Sequence, residues 1–114
     1  MDPTATPTPG RASGSAVLTP VGDLDLVSAP ALGDAIRDAL RDRTVHTVTV
    51  DLAGVTFLDC AGVSTLLAGH ATAARRGQQV VVANPRRWVR RVLTLTGALS
   101  TLQPVRPGAR PAAA

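Results

Sequence analysis

"VTVDLAGVTFLDCAGVSTLL", residues 48–67, is the stretch that decides the fold. Apolar and polar residues alternate up to Gly54, and this pattern predicts a β-strand with one covered face. The residues just after Gly54 form a loop or a strand end. From residue 61 to about residue 76 the apolar residues recur at helical spacing, and Gly77 is suited to end that helix. The stretch therefore predicts a strand, a short link and a helix, which is the unit from which α/β folds are built.

The residues before this stretch predict a second unit of the same kind. Residues 16–26, "AVLTPVGDLDL", begin as an apolar strand, and Gly22 marks a turn within them. An amphipathic helix follows, with Ser28 as its N-cap and Pro30 in its first turn. The charged side chains of that helix share its solvent face.

The residues after the stretch predict a third unit. Residues 78–84, "QQVVVAN", are continuously apolar at their centre, which indicates a strand covered on both faces. Pro85 opens a helix that ends at Gly97, and residues 99–105 predict a weak final strand. Strands and helices that alternate in this order predict a single α/β domain with a substantially parallel sheet and right-handed crossovers.

The two ends of the chain differ in composition from its middle. Residues 1–14 and 104–114 are rich in small residues and proline and lack apolar periodicity, which predicts a disordered arm and a disordered tail. Residues 15–103 then form one domain. A chain of 114 residues with 45% hydrophobic content is sufficient for one modest core.

The charged residues are all arginine or aspartate, 12 and 8 of them, for a net charge of +4. Part of the positive excess lies in the predicted arm and tail, so the domain is close to neutral, which argues against a dedicated nucleic-acid binder. No apolar run approaches the roughly 18 residues of a membrane helix, and the first residues lack the apolar segment of a signal peptide. We expect a soluble cytoplasmic protein with no direct nucleic-acid or membrane partner.

The chain's single cysteine, Cys60, stands at the start of a predicted helix. Such a position favours a thiolate nucleophile, but only His46 and His70 could serve as its base, and neither spacing places one beside it. One cysteine and two separated histidines do not make a metal-binding set, and the glycine-rich phosphate loops are absent. We expect no catalytic residue, no metal and no cofactor, and therefore no enzyme.

Four arginines, at positions 86, 87, 90 and 91, surround Trp88 in the third predicted helix. Their i, i+4 spacing places them on one helix face. Such a face is either simply solvated or a contact surface for an acidic partner, and the sequence leaves both interpretations open.

Three segments together resemble the STAS domain of bacterial anti-sigma-factor antagonists: "GDLD" at 22–25, residues 48–67, and "RRGQQVVVANPRRWVRRVLTLTGAL" at 75–99. The resemblance covers about residues 15–103 and implies a mixed, mostly parallel sheet covered by helices. It also implies partner switching, in which the antagonist binds an anti-sigma factor and thereby frees a sigma factor. The anti-sigma factor of that family is a serine kinase with a histidine-kinase-like fold. It breaks the complex by phosphorylating a serine directly after the motif's aspartate, and a phosphatase restores the complex.

The resemblance assigns the motif's aspartate to Asp59 and its phosphoacceptor position to Cys60, with Ala61 and Gly62 completing the turn. It places the turn at 22–25 beside this loop, at the partner surface. The acceptor position therefore carries a thiol in place of a hydroxyl. A phosphoserine there would bring about −1.5 to −2 charges to the loop and would repel a fitted partner.

Cysteine is close to serine in size, so we expect the unmodified shape to survive while the kinase loses its substrate. The switch would then stay in its binding-competent state. Ser64 and Thr65, about one helical turn after Cys60, and Thr56 before the motif are the alternative phosphorylation sites. They are less suited to the role, because the free N–H groups that favour a phosphate belong to the helix start.

The sequence therefore predicts an anti-sigma-factor antagonist that acts by binding alone. We expect the arginines of the third helix to contribute to its partner surface. The other predicted partner-binding residues are Asp23, Asp25, Asp59, Cys60, Ala61, Gly62 and Ser64.

Two other functions fit the same residues. In a thiol sensor, oxidation of Cys60 would add charge or bulk where the family adds phosphate. STAS domains also serve in other assemblies, so the chain could instead dock on another ATPase or transport complex. A strand expected before residue 16 and a terminal helix are both missing from the pattern. The sheet edge or helix face that they leave exposed would be covered by a partner or by a second copy in a homodimer.

Overall fold

The computed structural model describes residues 8–12 and 14–103, which form six strands and four helices. The strands are β1 (Thr8–Ala12), β2 (Ser15–Thr19), β3 (Gly22–Leu24), β4 (Thr47–Asp51), β5 (Val55–Leu58) and β6 (Gln79–Ala83). The helices are α1 (Ala29–Leu40), α2 (Cys60–Ala74), α3 (Arg87–Leu95) and α4 (Ala98–Leu102).

The main sheet has the strand order β1-β2-β4-β6. β2, β4 and β6 run parallel, in a register that aligns Leu18, Val50 and Val82, and β1 runs antiparallel to β2 at the edge. Parallel strands need crossover connections, and here α1 and α2 lie on these crossovers. The predicted α/β class, with a mixed and mostly parallel sheet, is confirmed.

A second, two-stranded sheet pairs β3 with β5 in parallel. Each of these strands follows a main-sheet strand after a short turn, β3 after β2 and β5 after β4. The Gly22 N–H donates to the Gly54 carbonyl at 2.9 Å, and Gly22 has a φ of 90°, which a side-chain-bearing residue rarely adopts. The small sheet therefore continues the domain beyond the carboxyl ends of β2 and β4, and it carries the candidate site.

The core consists of aliphatic side chains that the sheet and the helices share. Ile36 from α1, Val48 from β4, Leu66 from α2 and Leu93 from α3 are all fully buried. Burying one such side chain stabilises the fold by about 1.5–3 kcal/mol. Neither Phe57 nor Trp88, the chain's two aromatic residues, belongs to this core.

Residues 8–12, which the sequence assigned to a disordered arm, form β1, and the prediction is corrected for them. Pro9 lies opposite Leu18 on an edge strand, a position where a residue without an N–H is tolerated. The strand therefore follows from its pairing with β2 rather than from an apolar pattern of its own. Gly14, the last residue of the predicted arm, lies in the turn between β1 and β2. Residues 1–7 and 13 of the predicted arm and the predicted tail at 104–114 lie outside the described residues.

The predicted final strand at 99–105 is also corrected, because the chain forms α4 there. Gly97 has a φ of 77° and turns the chain out of α3. Ala98 and Leu102 are buried whereas Ser100 between them is exposed, which fits one face of a helix and not the alternation of a strand. Within the described residues, no helix is both long enough and apolar enough to cross a membrane.

Candidate partner-binding site

Asp59 caps the start of α2. Its Oδ1 accepts hydrogen bonds from the N–H groups of Ala61, at 2.9 Å, and Gly62, at 3.2 Å. An aspartate at this position satisfies amides that the helix leaves unpaired and complements the positive end of the helix dipole. Cys60 is the first residue of the helix and is an exposed free thiol. The sequence prediction that this residue begins a helix is confirmed.

The start of α2 lies directly against the end of β3. The Asp59 N–H donates to the Leu24 carbonyl at 3.2 Å. A Cβ on Gly62 would lie 2.7 Å from that same carbonyl oxygen and 2.5 Å from Leu58 Cδ1. Because real Cβ contacts are not that short, a glycine is required at position 62 for this approach. Gly62 is itself buried, so it shapes the loop rather than offering a contact to a partner.

Asp25 holds the turn between β3 and α1. Its Oδ1 accepts from the N–H groups of Val27 and Ser28, both at 3.0 Å, and its carbonyl accepts from the Ala29 N–H at 2.8 Å. The Ser28 N–H is the main cause of a lowered pKa for the Asp25 carboxyl. Desolvation opposes it, and the Val27 N–H and the Ser28 hydroxyl lower the pKa further. Asp25 is therefore a structural carboxylate as well as a surface charge.

Ser28 occupies the N-cap position of α1, as the sequence predicted, but its side chain does not cap the helix. Its hydroxyl donates to the Asp23 carbonyl and accepts from the Asp25 N–H. Ser28 thus closes the 23–28 turn on itself. The two aspartates of the "GDLD" segment are in this way fixed relative to each other.

Asp23 and Thr56 connect the two strands of the small sheet. The Thr56 hydroxyl donates to Asp23 Oδ1 at 3.1 Å, and both side chains are exposed. Asp23, Asp25, Asp59 and Cys60 therefore lie on connected backbone, with Leu24 in the centre. The structure brings these four of the predicted site residues together, and their role in binding a partner stays a prediction.

Three exposed apolar side chains beside these acidic groups were missed by the sequence interpretation. Val27 is 89% exposed and Leu26 78% exposed in the turn before α1, and Phe57 is 52% exposed on β5. The sequence did contain a signal for the exposure of Leu26 and Val27, because these two large apolar residues stand between a turn motif and a helix N-cap. Phe57 gave no such signal, since an aromatic residue in a strand is more commonly buried.

The arginines of the third helix do not act as one set. The Arg86 Nε donates to the Ala53 carbonyl at 2.8 Å and fastens the start of α3 to the turn before β5. Arg87, Arg90 and Arg91 are exposed on α3.

Ser64 is exposed on α2, whereas Ala61 is half-buried and Thr65 packs towards α1, near Gly33. The two histidines lie away from Cys60. His70 is ten residues further along α2, which is about 15 Å of helix. His46 lies just before β4 begins, at the opposite end of the main sheet from Cys60. Its backbone N–H donates to the Gly14 carbonyl.

The sequence profile of the family described as "Mlab, STAS domain" matches residues 8–103. The chain belongs to the STAS domain family. The match begins at β1 and ends with α4, so this STAS domain includes the edge strand that the sequence interpretation left out. The family resemblance inferred from the sequence is thereby confirmed.

Solved structures of similar fold include an anti-sigma factor antagonist from Mycobacterium paratuberculosis. It is 31% identical, with a TM-score of 0.70, and the match covers 85% of this chain and 81% of that one. SpoIIAA of Bacillus, an anti-sigma factor antagonist in its unphosphorylated form, matches with a TM-score of 0.72 at 20% identity over 83% and 84% of the two chains. The murine anion transporter Slc26a9 shares the fold too, with a TM-score of 0.65 at 22% identity, but the match covers 80% of this chain and only 15% of the transporter.

Proposed function

We propose that this STAS domain is an anti-sigma factor antagonist that binds a serine-kinase-type anti-sigma factor and catalyses no reaction itself. The observation that carries the proposal is the exposed start of α2, where Asp59 caps the helix and Cys60 stands beside the Asp23–Asp25 turn. A 31% identical protein of similar length is described as an anti-sigma factor antagonist. In this proposal the chain acts in the bacterial cytoplasm, where it frees a sigma factor and so regulates transcription.

The chemistry of the surface is suited to binding. It presents carboxylates whose positions are fixed by backbone hydrogen bonds, next to exposed apolar side chains of the 23–28 turn and β5. Rigid charges give an interface its specificity, and apolar side chains give it affinity when they are desolvated. A basic and partly apolar surface on the kinase is the complement we expect.

Cys60 makes this antagonist a poor substrate for the kinase that it binds. A serine kinase transfers phosphate to a hydroxyl oxygen, and the exposed side chain at position 60 ends in sulfur. The complex would then persist, because no charge is added to separate the two partners.

The alternative acceptors fit the switch less well. The Thr56 hydroxyl donates to Asp23, so a phosphate on it would lie beside a carboxylate that is already present. Ser64 is exposed but lies within α2, beyond its first turn. We propose that neither residue replaces Cys60 as a phosphorylation site.

Titration calorimetry against each kinase-type anti-sigma factor of the source bacterium tests the binding function. We expect one of them to form a stoichiometric complex with this chain and to release its sigma factor on doing so. Arg43→Glu is a control. Arg43 is exposed in the turn between α1 and β4, at the other end of the main sheet, so reversing its charge should leave the affinity for the kinase unchanged. If none of the kinases binds, the proposed function is wrong.

A further inference from the structure

Charge separates along this chain. All eight aspartates lie at or before position 59, whereas eight of the twelve arginines follow it. The near-neutral net charge of the domain therefore conceals an acidic first half and a basic second half. Such an asymmetry between the halves of a chain is typical of proteins that bind a polyanion or a membrane surface.

The outward face of α3 collects three of the arginines of the basic half. Val89 and Leu93 are buried and so define the inner side of the helix. The guanidinium-bearing side chains line one open hollow together with Thr94 and Leu95. Trp88 lies seven residues before Leu95, which is nearly two full turns, so the two share one side of the helix. This outward face, here called the basic face, consists of Arg87, Trp88, Arg90, Arg91, Thr94 and Leu95.

The basic face combines unpaired positive charge with exposed apolar side chains. Trp88 is 71% exposed and Leu95 73% exposed. Within residues 8–12 and 14–103, none of the three guanidinium groups of this face forms an ion pair, whereas Arg37 and Arg41 of α1 each pair with an aspartate. Exposed apolar groups that cluster with unpaired charges mark an interaction surface.

The kinase is a poor complement for the basic face. The proposed function sets the acidic 23–28 turn against a basic surface of the kinase, and such a surface would repel three guanidinium groups. The arginines of the third helix, which the sequence interpretation assigned to the kinase-binding surface, are therefore better suited to a different, anionic partner.

A lipid surface supplies both kinds of contact that the basic face offers. Its anionic headgroups attract arginines, and the boundary between headgroups and acyl chains accommodates an indole ring and a leucine side chain. The face is the outer side of a helix, so a soft and flat surface can receive it without a matching groove. The phosphates of a nucleic acid would pair with the arginines but would leave Leu95 in water.

We propose that the basic face of α3 docks this domain on an anionic lipid membrane. The docking is peripheral, with Trp88 and Leu95 at the headgroup boundary and the arginines on the phosphates. The sequence-based expectation of no membrane partner rested on the lack of a spanning segment, which a surface-bound helix does not need. The inference concerns a different surface from the one proposed to bind the kinase and does not depend on it.

The tryptophan emission of the purified chain, titrated with vesicles, tests the docking. Trp88 is the chain's only tryptophan, so its emission reports directly on the basic face. Vesicles of equal parts phosphatidylglycerol and phosphatidylcholine should shift the emission to the blue as the ring leaves water, and vesicles of phosphatidylcholine alone should not. High salt should weaken the binding, because it screens the arginines from the headgroups.

Arg91→Glu and Arg75→Glu are a matched pair of variants. Both reverse one charge in the basic half, but Arg91 lies on the basic face, whereas Arg75 is exposed at the end of α2, before β6 begins. Arg91→Glu should weaken the affinity for the anionic vesicles by about tenfold or more, and Arg75→Glu by about twofold at most. Leu95→Ala should weaken it by about fivefold, because an apolar contact is lost while the charge is unchanged. All three positions are exposed, and far-ultraviolet circular dichroism checks that the variants fold.

Three results would overturn the docking. The first is an emission spectrum that the anionic vesicles leave unchanged, and the second is an effect of Arg91→Glu no larger than that of Arg75→Glu. The third is a blue shift that polyglutamate or duplex DNA causes and the vesicles do not, which would assign the basic face to an acidic protein or to a nucleic acid. No kinase is present in these measurements, so each of these results would leave the proposed binding of a kinase standing.

Discussion

The N–H of Asp59 donates to the carbonyl of Leu24 at 3.2 Å and so joins the first residue before α2 to the last residue of β3. The hydrogen bond links two loops that are 35 positions apart in the sequence, since Leu24 is followed by the Asp25 turn and Asp59 is followed by Cys60. The start of α2 and the 23–28 turn are therefore joined through the backbone, and the candidate site is one connected unit.

Gly62→Ala should break this junction. The new methyl group would lie 2.7 Å from the Leu24 carbonyl oxygen, which is backbone and cannot rotate away. We expect the free energy of unfolding to fall by about 1–3 kcal/mol, as for other overpacked sites, and the affinity for the anti-sigma factor to fall as well. Urea denaturation and titration calorimetry measure the two effects.

Gly69→Ala is the matched control for that variant. The substitution is the same and lies on the same helix, but the added methyl group meets the side chain of Ile36, 2.9 Å away and remote from the site. It should lower stability without lowering partner affinity. Equal losses of affinity in the two variants would contradict the role given to the junction of Leu24 and Asp59.

Asp59→Ala should remove the cap of α2. Two N–H groups, of Ala61 and Gly62, lose their acceptor, and a lost N-cap typically lowers stability by about 0.5–2 kcal/mol. Asp59→Asn keeps an acceptor oxygen and should retain most of that stability. Thermal unfolding followed by circular dichroism compares them, and an asparagine variant as unstable as the alanine variant would rule out capping as the cause.

The strand β4 and the helix α2 were predictable from the sequence, because the alternation before Gly54 and the helical spacing after Cys60 are both local patterns. The same holds for Asp59 as the residue before the helix. β1 was not predictable, since Pro9 is acceptable in a strand only where β2 supplies the pairing and the strand lies at an edge. The contact between Leu24 and Gly62 was likewise hidden, because it depends on how two distant segments pack.

Asp25→Asn should change how stability depends on pH. The folded-state pKa of Asp25 lies below the ordinary value of 3.8, so its charged form stabilises the native state above that pH. This contribution is lost as the pH falls from about 3.8 through the lower folded-state pKa. The wild type should therefore lose stability more steeply than Asp25→Asn over this acid range, and the two should converge at its lower end. Urea midpoints measured at a series of pH values give both curves. Parallel curves would mean that the hydrogen bonds from Val27 and Ser28 do not favour the carboxylate.

Cys60→Ser should restore the phosphorylation switch. The substitution returns a hydroxyl to an exposed helix start whose backbone is fixed by Asp59, so the cognate kinase and ATP should add one phosphate to the variant and none to the wild type. Intact-protein mass spectrometry measures the phosphate, and calorimetry should then find that the phosphorylated variant binds the kinase more weakly, because about −1.5 to −2 charges now stand beside Asp59. Adding Ser64→Ala to the variant should leave the labelling unchanged and so exclude transfer to the neighbouring hydroxyl.

Treating the complex of the wild type and its kinase with mild peroxide tests the thiol sensor. If oxidation of Cys60 released the kinase, the thiol itself would be the regulated group. Phosphate found on Thr56 or Ser64 of the wild type would refute the persistent complex while leaving the binding function intact.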